Sequence, residues 1–167
     1  PFVFDYADND ADVLPKSSKD LSHGTHVAAI AAANASDLQG TAPHAQIIVA
    51  KVASDKDGSI PDNTVLAALD DAVVIKPDSI NLSLGEDAGM GTEAGTMYAE
   101  VYKNLAAAGV TVNAAAGNSY SSAYSNYSGK NKPYASDPDA GTLSEPASYS
   151  STLAVASVNN QDALPYL

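Results

Sequence analysis

The sequence predicts an α/β fold built on a parallel sheet. Short apolar runs rich in branched residues take turns with stretches of helical spacing. Turn and capping residues separate them, and the repeated strand–helix–strand order calls for right-handed crossovers. In such sheets ligands bind beyond the carboxyl ends of the strands, and Gly85 and Asn118 both fall where apolar runs end.

The elements follow in order. A slim helix is expected after Ser22, a candidate N-cap, through Val27, Ile30 and Ala31; its many alanines predict burial. "AQIIVAKV" (residues 45–52) has the continuous branched pattern of a strand buried on both faces. "DNTVLAALDDAVVI" (62–75) places Val65, Leu66, Leu69, Ala72 and Val73 at helical spacing, with Pro61 and Asp62 as start signals and Pro77 as a stop. "SINLSLG" (79–85) alternates Ile80, Leu82 and Leu84 as a strand. A second long helix covers about 93–108, and Gly109 is its natural stop. "VTVNAAAGN" (110–118) and "STLAVASV" (151–158) return as strands. Between them, a Tyr/Ser-rich insert at about 119–142 has a loop's composition. Its tyrosines Tyr120, Tyr124, Tyr127 and Tyr134 fit either the lining of a cleft or the anchors of an ordered surface loop.

Composition narrows the function. The 167 residues suffice for one domain with a core, and 45% hydrophobic against 17% charged residues reads as globular. A net charge of −12 argues against nucleic-acid binding, which needs basic patches. No run approaches the ~18 apolar residues of a membrane span. The absence of cysteine removes disulfides, thiolate nucleophiles and cysteine-based zinc sites together. With no starting Met and no signal peptide, the chain reads as a piece of a longer one.

The stretch "DLSHGTHVAAIAAAN" (20–34) holds His23 and His26, three apart. Both could be structural, the two could share a metal, or one could be a general base. No third metal ligand stands out. His23 falls in the first turn of the expected helix, where the helix dipole disfavours a positive charge and so suits a neutral base.

Four motifs in order then carry a resemblance. "SHGTHVA" (22–28) resembles the histidine motif of subtilisin-like serine proteases, the subtilases. "GTAPHAQI" resembles the segment after that helix, "INLSLG" the substrate-binding strand, and "NAAAGN" the oxyanion-hole segment. The resemblance implies a subtilisin-like parallel sheet with helices on both faces, of which residues 1–167 are the central portion of the peptidase domain, incomplete in this chain. It implies that His23 is the catalytic base, while His26 packs structurally. Asn118 corresponds to the side-chain donor to the oxyanion, a donor whose loss costs ~100- to 1,000-fold in turnover in subtilisin. Ser83, Leu84 and Gly85 match the edge that pairs with an extended substrate by β-strand addition. Ala115, Ala116 and Gly117 match the opposite wall of the specificity pocket. Pro146 in "SEPAS" makes Ser144 the expected pocket floor and the Glu145–Pro146 bond a candidate cis peptide. An acidic Glu145 there could favour basic substrate groups or point to solvent.

The family's triad is Asp, His and Ser along the chain. None of the "GT" pairs is followed by "SMA", so the serine is expected beyond residue 167. Asp5 closes "FVFD", but His23 follows only 18 positions on and "YA" replaces a glycine-bearing turn. That stretch therefore reads as the extended segment between acid and base, with the aspartate upstream. Its carboxylates, Asp5, Asp8, Asp10 and Asp12, form either a solvated acidic loop or a calcium site. Ala29 stands where the family usually has glycine.

The layout around "SEPASYSSTLAVASVNN" resembles the large cell-envelope proteinases of Gram-positive bacteria, the lactocepin and complement-cleaving peptidase group. This implies a secreted or surface-attached serine endopeptidase acting on protein or peptide substrates, together with the remainder of its parent catalytic domain. No organic cofactor is implied, and structural calcium has no assigned site. The isolated chain, with one triad member, is expected to be inactive. The rival readings are a non-catalytic pseudoprotease or peptide-binding module of the same fold, and an unrelated doubly wound ligand-binding domain. The latter predicts a G-x-G-x-x-G loop, which the sequence lacks.

Overall fold

The computed structural model describes residues 2–16, 22–86, 96–118 and 143–158. The chain divides into two units, Pro1–Asp71 and Ala72–Leu167. The fold is α/β, and every strand pairing within its two sheets is parallel.

The first unit holds β1 (Val3–Asp5), α1 (His23–Ala32), β2 (Val49–Lys51) and most of α2 (Asp62–Ile75). β1 pairs with β2 through Val3↔Val49, Phe4↔Ala50 and Asp5↔Lys51. The strand expected over 45–52 shrinks to three residues because its ladder partner is only three residues long; Ile47 and Ile48 lie outside it, partly exposed. α2 has the expected bounds. The Thr64 hydroxyl lies 2.7 Å from the carbonyl oxygen of Pro61 and 3.1 Å from that of Val52, tying the helix start to the end of β2. Thr64, Val65 and Leu69 are its buried side chains.

α1 corrects two expectations. Ser22 sits at the N-cap, but at φ −87° and ψ 4° its side chain makes no capping bond. A cap needs an extended backbone to aim its oxygen back at the first free amides. Nor is the helix buried: none of its residues is, and Ile30 is 57% exposed. Its alanines bury little area. Among the described residues, what ties it down is backbone, the amides of Gly40, Thr41 and Ala42 donating to the carbonyls of Ala33, Ile30 and Ala31 at 2.8–3.0 Å.

The second unit holds β3 (Ser79–Leu82), α3 (Met97–Ala107), β4 (Thr111–Ala115) and β5 (Leu153–Val155), with sheet order β3-β4-β5. The register sets Leu82 beside Ala114 and Ile80 beside Val112. α3 packs against β4, and Tyr102, Leu105, Val112 and Ala114 are almost wholly buried in this unit's core. Thr96 caps α3 from an extended backbone, its hydroxyl oxygen accepting from the Ala99 amide at 3.2 Å. Residues 93–95, where this helix was expected to begin, lie outside the described residues, as does the whole insert at 119–142. The ladders stop at Leu82, Ala115 and Val155, short of the apolar runs. The last residues of "SINLSLG" and "VTVNAAAGN" therefore lie beyond the last ladder rungs, at the carboxyl end of the sheet.

Candidate functional site

The second unit brings most of the expected site residues to that end. Ser83, Leu84 and Gly85 follow directly on β3, and the Ser83 hydroxyl accepts a hydrogen bond from the Asn81 side-chain amide at 2.9 Å. Ala115 ends β4. The Ala116 amide donates to the Val155 carbonyl at 2.9 Å, and Gly117 turns the chain at φ +111°. Asn118 is exposed immediately beyond that turn.

The segment around Ser144 closes across both strand ends. The Ser144 amide donates to the Ala116 carbonyl at 3.0 Å. Glu145 and Glu86 exchange two backbone bonds, Glu145 N–H to Glu86 at 2.9 Å and Glu86 N–H to Glu145 at 3.0 Å, as an isolated antiparallel bridge. Two glycines make this approach possible. A Cβ on Gly85 would collide with the Glu145 carbonyl oxygen, and a Cβ on Gly117 with the Ser144 hydroxyl. The left-handed φ of Gly117 adds a second reason for glycine there. Ser144 is buried, and the Glu145–Pro146 bond is cis. Thus Ser144 and Glu145 lie across the strand ends that carry Gly117 and Gly85.

Sequence reasoning missed what holds this segment. The Tyr149 hydroxyl donates to the Glu145 carboxylate, so that carboxylate is neither free in a pocket nor simply solvated. The Tyr149 ring packs 5.3 Å from that of Tyr102, which in turn stacks 6.2 Å from Tyr98. Burial pushes the Tyr102 phenol far up, with Tyr98, Tyr149 and Glu145 adding to the effect. The four-residue spacing of Glu145 and Tyr149 was the available signal, but outside a helix it carries little weight.

His23 belongs to the first unit, at the start of α1, with its side chain exposed; the His26 amide donates to the Ser22 carbonyl at 3.0 Å. In the acidic stretch of the same unit, Asp8 and Asp12 are exposed, as in a solvated loop, but Asp5 is not. Asp5 is fully buried, accepts from the amides of Ala7 and Asp8 at 2.9 Å each, and pairs with Lys51. Lys51 also meets Asp55 at 2.9 Å and Asp8 at 3.3 Å, while Lys16 reaches Asp55, Asp10 and Asp12. Asp5, Asp8 and Asp55 bring carboxylate oxygens within 4.8 Å of one another, the spacing of a cation site. The Lys51 ammonium already takes that place, so the donor set fits an ion-pair cluster and not calcium. Among the described residues no helix is long and apolar enough to cross a membrane.

Strand ends closed by a segment bridged to both sit on a parallel α/β scaffold here. The model of the subtilase family matches residues 3–166, and the chain belongs to that family of subtilisin-like serine peptidases. It is 34% identical over 98% of its length to the PI-type proteinase of Lactococcus lactis subsp. cremoris, of which it spans 9%. It is 36% identical over 96% of its length to the thermophilic serine proteinase of Bacillus sp. (strain AK1), of which it spans 34%. Among solved structures, the prenylagaramide maturation protease PagA is similar with a TM-score of 0.64 and 25% identity, over 84% of this chain and 44% of that one. The chain thus spans less than half the length of each of these relatives.

Proposed function

We propose that these residues form part of the catalytic domain of a serine endopeptidase that acts on protein substrates outside the cell or at its surface. The observation that carries this reading is the meeting of the strand ends at 83–86 and 115–117 with the segment of Ser144 and Glu145, Asn118 lying just beyond Gly117. The segment 83–85, beyond the last rung of β3, would take an extended peptide along its main chain, a mode of recognition that holds backbone whatever the side chains. The likeness to bacterial secreted and lactococcal proteinases supports the location.

The chemistry follows from two side chains. A serine hydroxyl from outside these residues adds to the peptide carbonyl carbon, and the His23 imidazole takes its proton. The Asn118 amide donates to the oxygen that becomes negative, a fixed dipole where water would have to reorient. His23 then returns the proton to the departing amine. Water, deprotonated in turn by His23, releases the acyl group.

Casein hydrolysis by the protein as its gene encodes it, beside its His23→Ala variant, tests the reading. The variant is expected to lose on the order of 10⁶-fold in turnover while still binding a peptide inhibitor. Equal activity in the two proteins would sink the general-base assignment.

A further inference from the structure

Resting on that reading, we infer that Tyr149 is a positioning residue for the peptide-binding edge, acting through Glu145 and Glu86. The chain of contacts is continuous. The Tyr149 ring is fixed in the core of the second unit, 95% buried beside Tyr102, which is itself 99% buried. Its hydroxyl holds the Glu145 carboxylate. Glu145 in turn exchanges both backbone bonds with Glu86, the residue immediately after Gly85.

Glu86 itself is exposed, and β3 ends four residues earlier, at Leu82. Its paired backbone groups therefore depend on the bridge to Glu145 and not on the sheet. A free strand end would sample many conformations and lose entropy each time a peptide paired with it; a tether from the core has already removed that freedom. The same segment is held on its other side by the Thr152 hydroxyl, 2.8 Å from the Pro146 carbonyl oxygen, and by the Ser144–Ala116 backbone bond. Glu145 joins a core side chain directly to the substrate edge.

The test uses Tyr149→Phe, which removes one oxygen and keeps the ring on Tyr102, in the protein as its gene encodes it. Glu145→Leu removes the acceptor, and Glu145→Gln keeps an acceptor oxygen and is expected to fall between Glu145→Leu and wild type. Two readouts are needed. Amide hydrogen exchange at residues 83–86 and 143–145 is expected to quicken about tenfold in Tyr149→Phe, with α3 unchanged, as expected for loss of a hydrogen bond to a charged group. KM for an extended peptide is expected to rise about tenfold at nearly constant kcat, while a single-residue ester, too short to use the edge, keeps its KM. Unchanged exchange at Glu86 overturns the inference whether or not the protein cleaves peptides. Faster exchange with equal effects on long and short substrates overturns it too, leaving Tyr149 a stabilising core residue. If wild type cleaves no peptide, the peptidase reading fails separately. The tether is then judged on exchange together with anisotropy of a labelled extended peptide, whose affinity must fall in Tyr149→Phe for the inference to stand.

Discussion

Lys51 ends β2 with its ammonium among Asp5, Asp55 and Asp8. Burial alone would lower its pKa, but the hydrogen bonds to Asp5, Asp55 and Asp8 outweigh that and hold it above the ordinary lysine range. Asp5 depends on this charge, because its side chain is wholly withdrawn from solvent. Lys51→Met would leave the carboxylate buried with two backbone amides and no cation, and removal of one partner of a buried pair costs about 3 kcal/mol. The expected result is a lower urea midpoint with an unchanged m value; a midpoint equal to wild type would show the pair contributes nothing net. A lysine closing an apolar run was visible in the sequence. Its partner was not, since pairing across 46 positions depends on the β1–β2 register.

At the scale of elements, α3 shows how local signals and packing divide the work. Thr96 satisfies one free amide of the first turn, and Thr96→Ala is expected to cost about 1 kcal/mol. Leu105 is fully buried, and Leu105→Ala is expected to cost about 3 kcal/mol by opening a cavity in the core. Thermal melts of the two variants should keep that order; the reverse order would mean the cap, not the core, holds the helix. The same division explains what was legible beforehand. α2 was readable end to end because periodicity, Pro61, Asp62 and Pro77 agree. Strands were readable as runs but too long, because an apolar pattern says what is buried and not where the neighbouring ladder stops. Ser22 and the burial of α1 were misread for a related reason: a capping residue type does not set its own backbone angles, and small apolar side chains do not create a partner to bury them. Of the site, the motifs picked out 83–85, 115–117 and Ser144, which the fold brings to one end of the sheet, while Glu86, Tyr149 and the bond between Tyr149 and Glu145 belong to tertiary contacts no motif encodes.

For the molecule as a whole, acid is the expected weak point. The hydrogen bond from Lys51 holds the Asp55 carboxyl below the usual carboxylate range, so the folded chain binds that proton less readily than the unfolded chain. Its contribution is complete above about pH 4, the unfolded value, and is lost as pH falls through the depressed folded one. Lys51 titrates in the opposite sense: its raised pKa contributes fully below about pH 10.4 and is lost only as pH rises beyond that, through the folded value. Urea midpoints measured across pH should therefore fall in acid, and that acid limb should flatten in Lys51→Met. The same limb in both proteins would place the acid sensitivity elsewhere among the 20 acidic residues.

β3, β4 and β5 all run the same way, so their carboxyl ends share one margin of the sheet. The strand residues Leu82, Val112 and Ala114 are committed to the core, whereas Ser83, Leu84 and Ala116 lie beyond the last ladder rung. This splits the sequence into a part that cannot drift and a part that can. A lineage could retune what it recognises by exchanging residues at that margin without renegotiating its interior. Gly85 and Gly117 are the exceptions, since there the backbone itself touches the opposing segment and leaves evolution no room to add an atom.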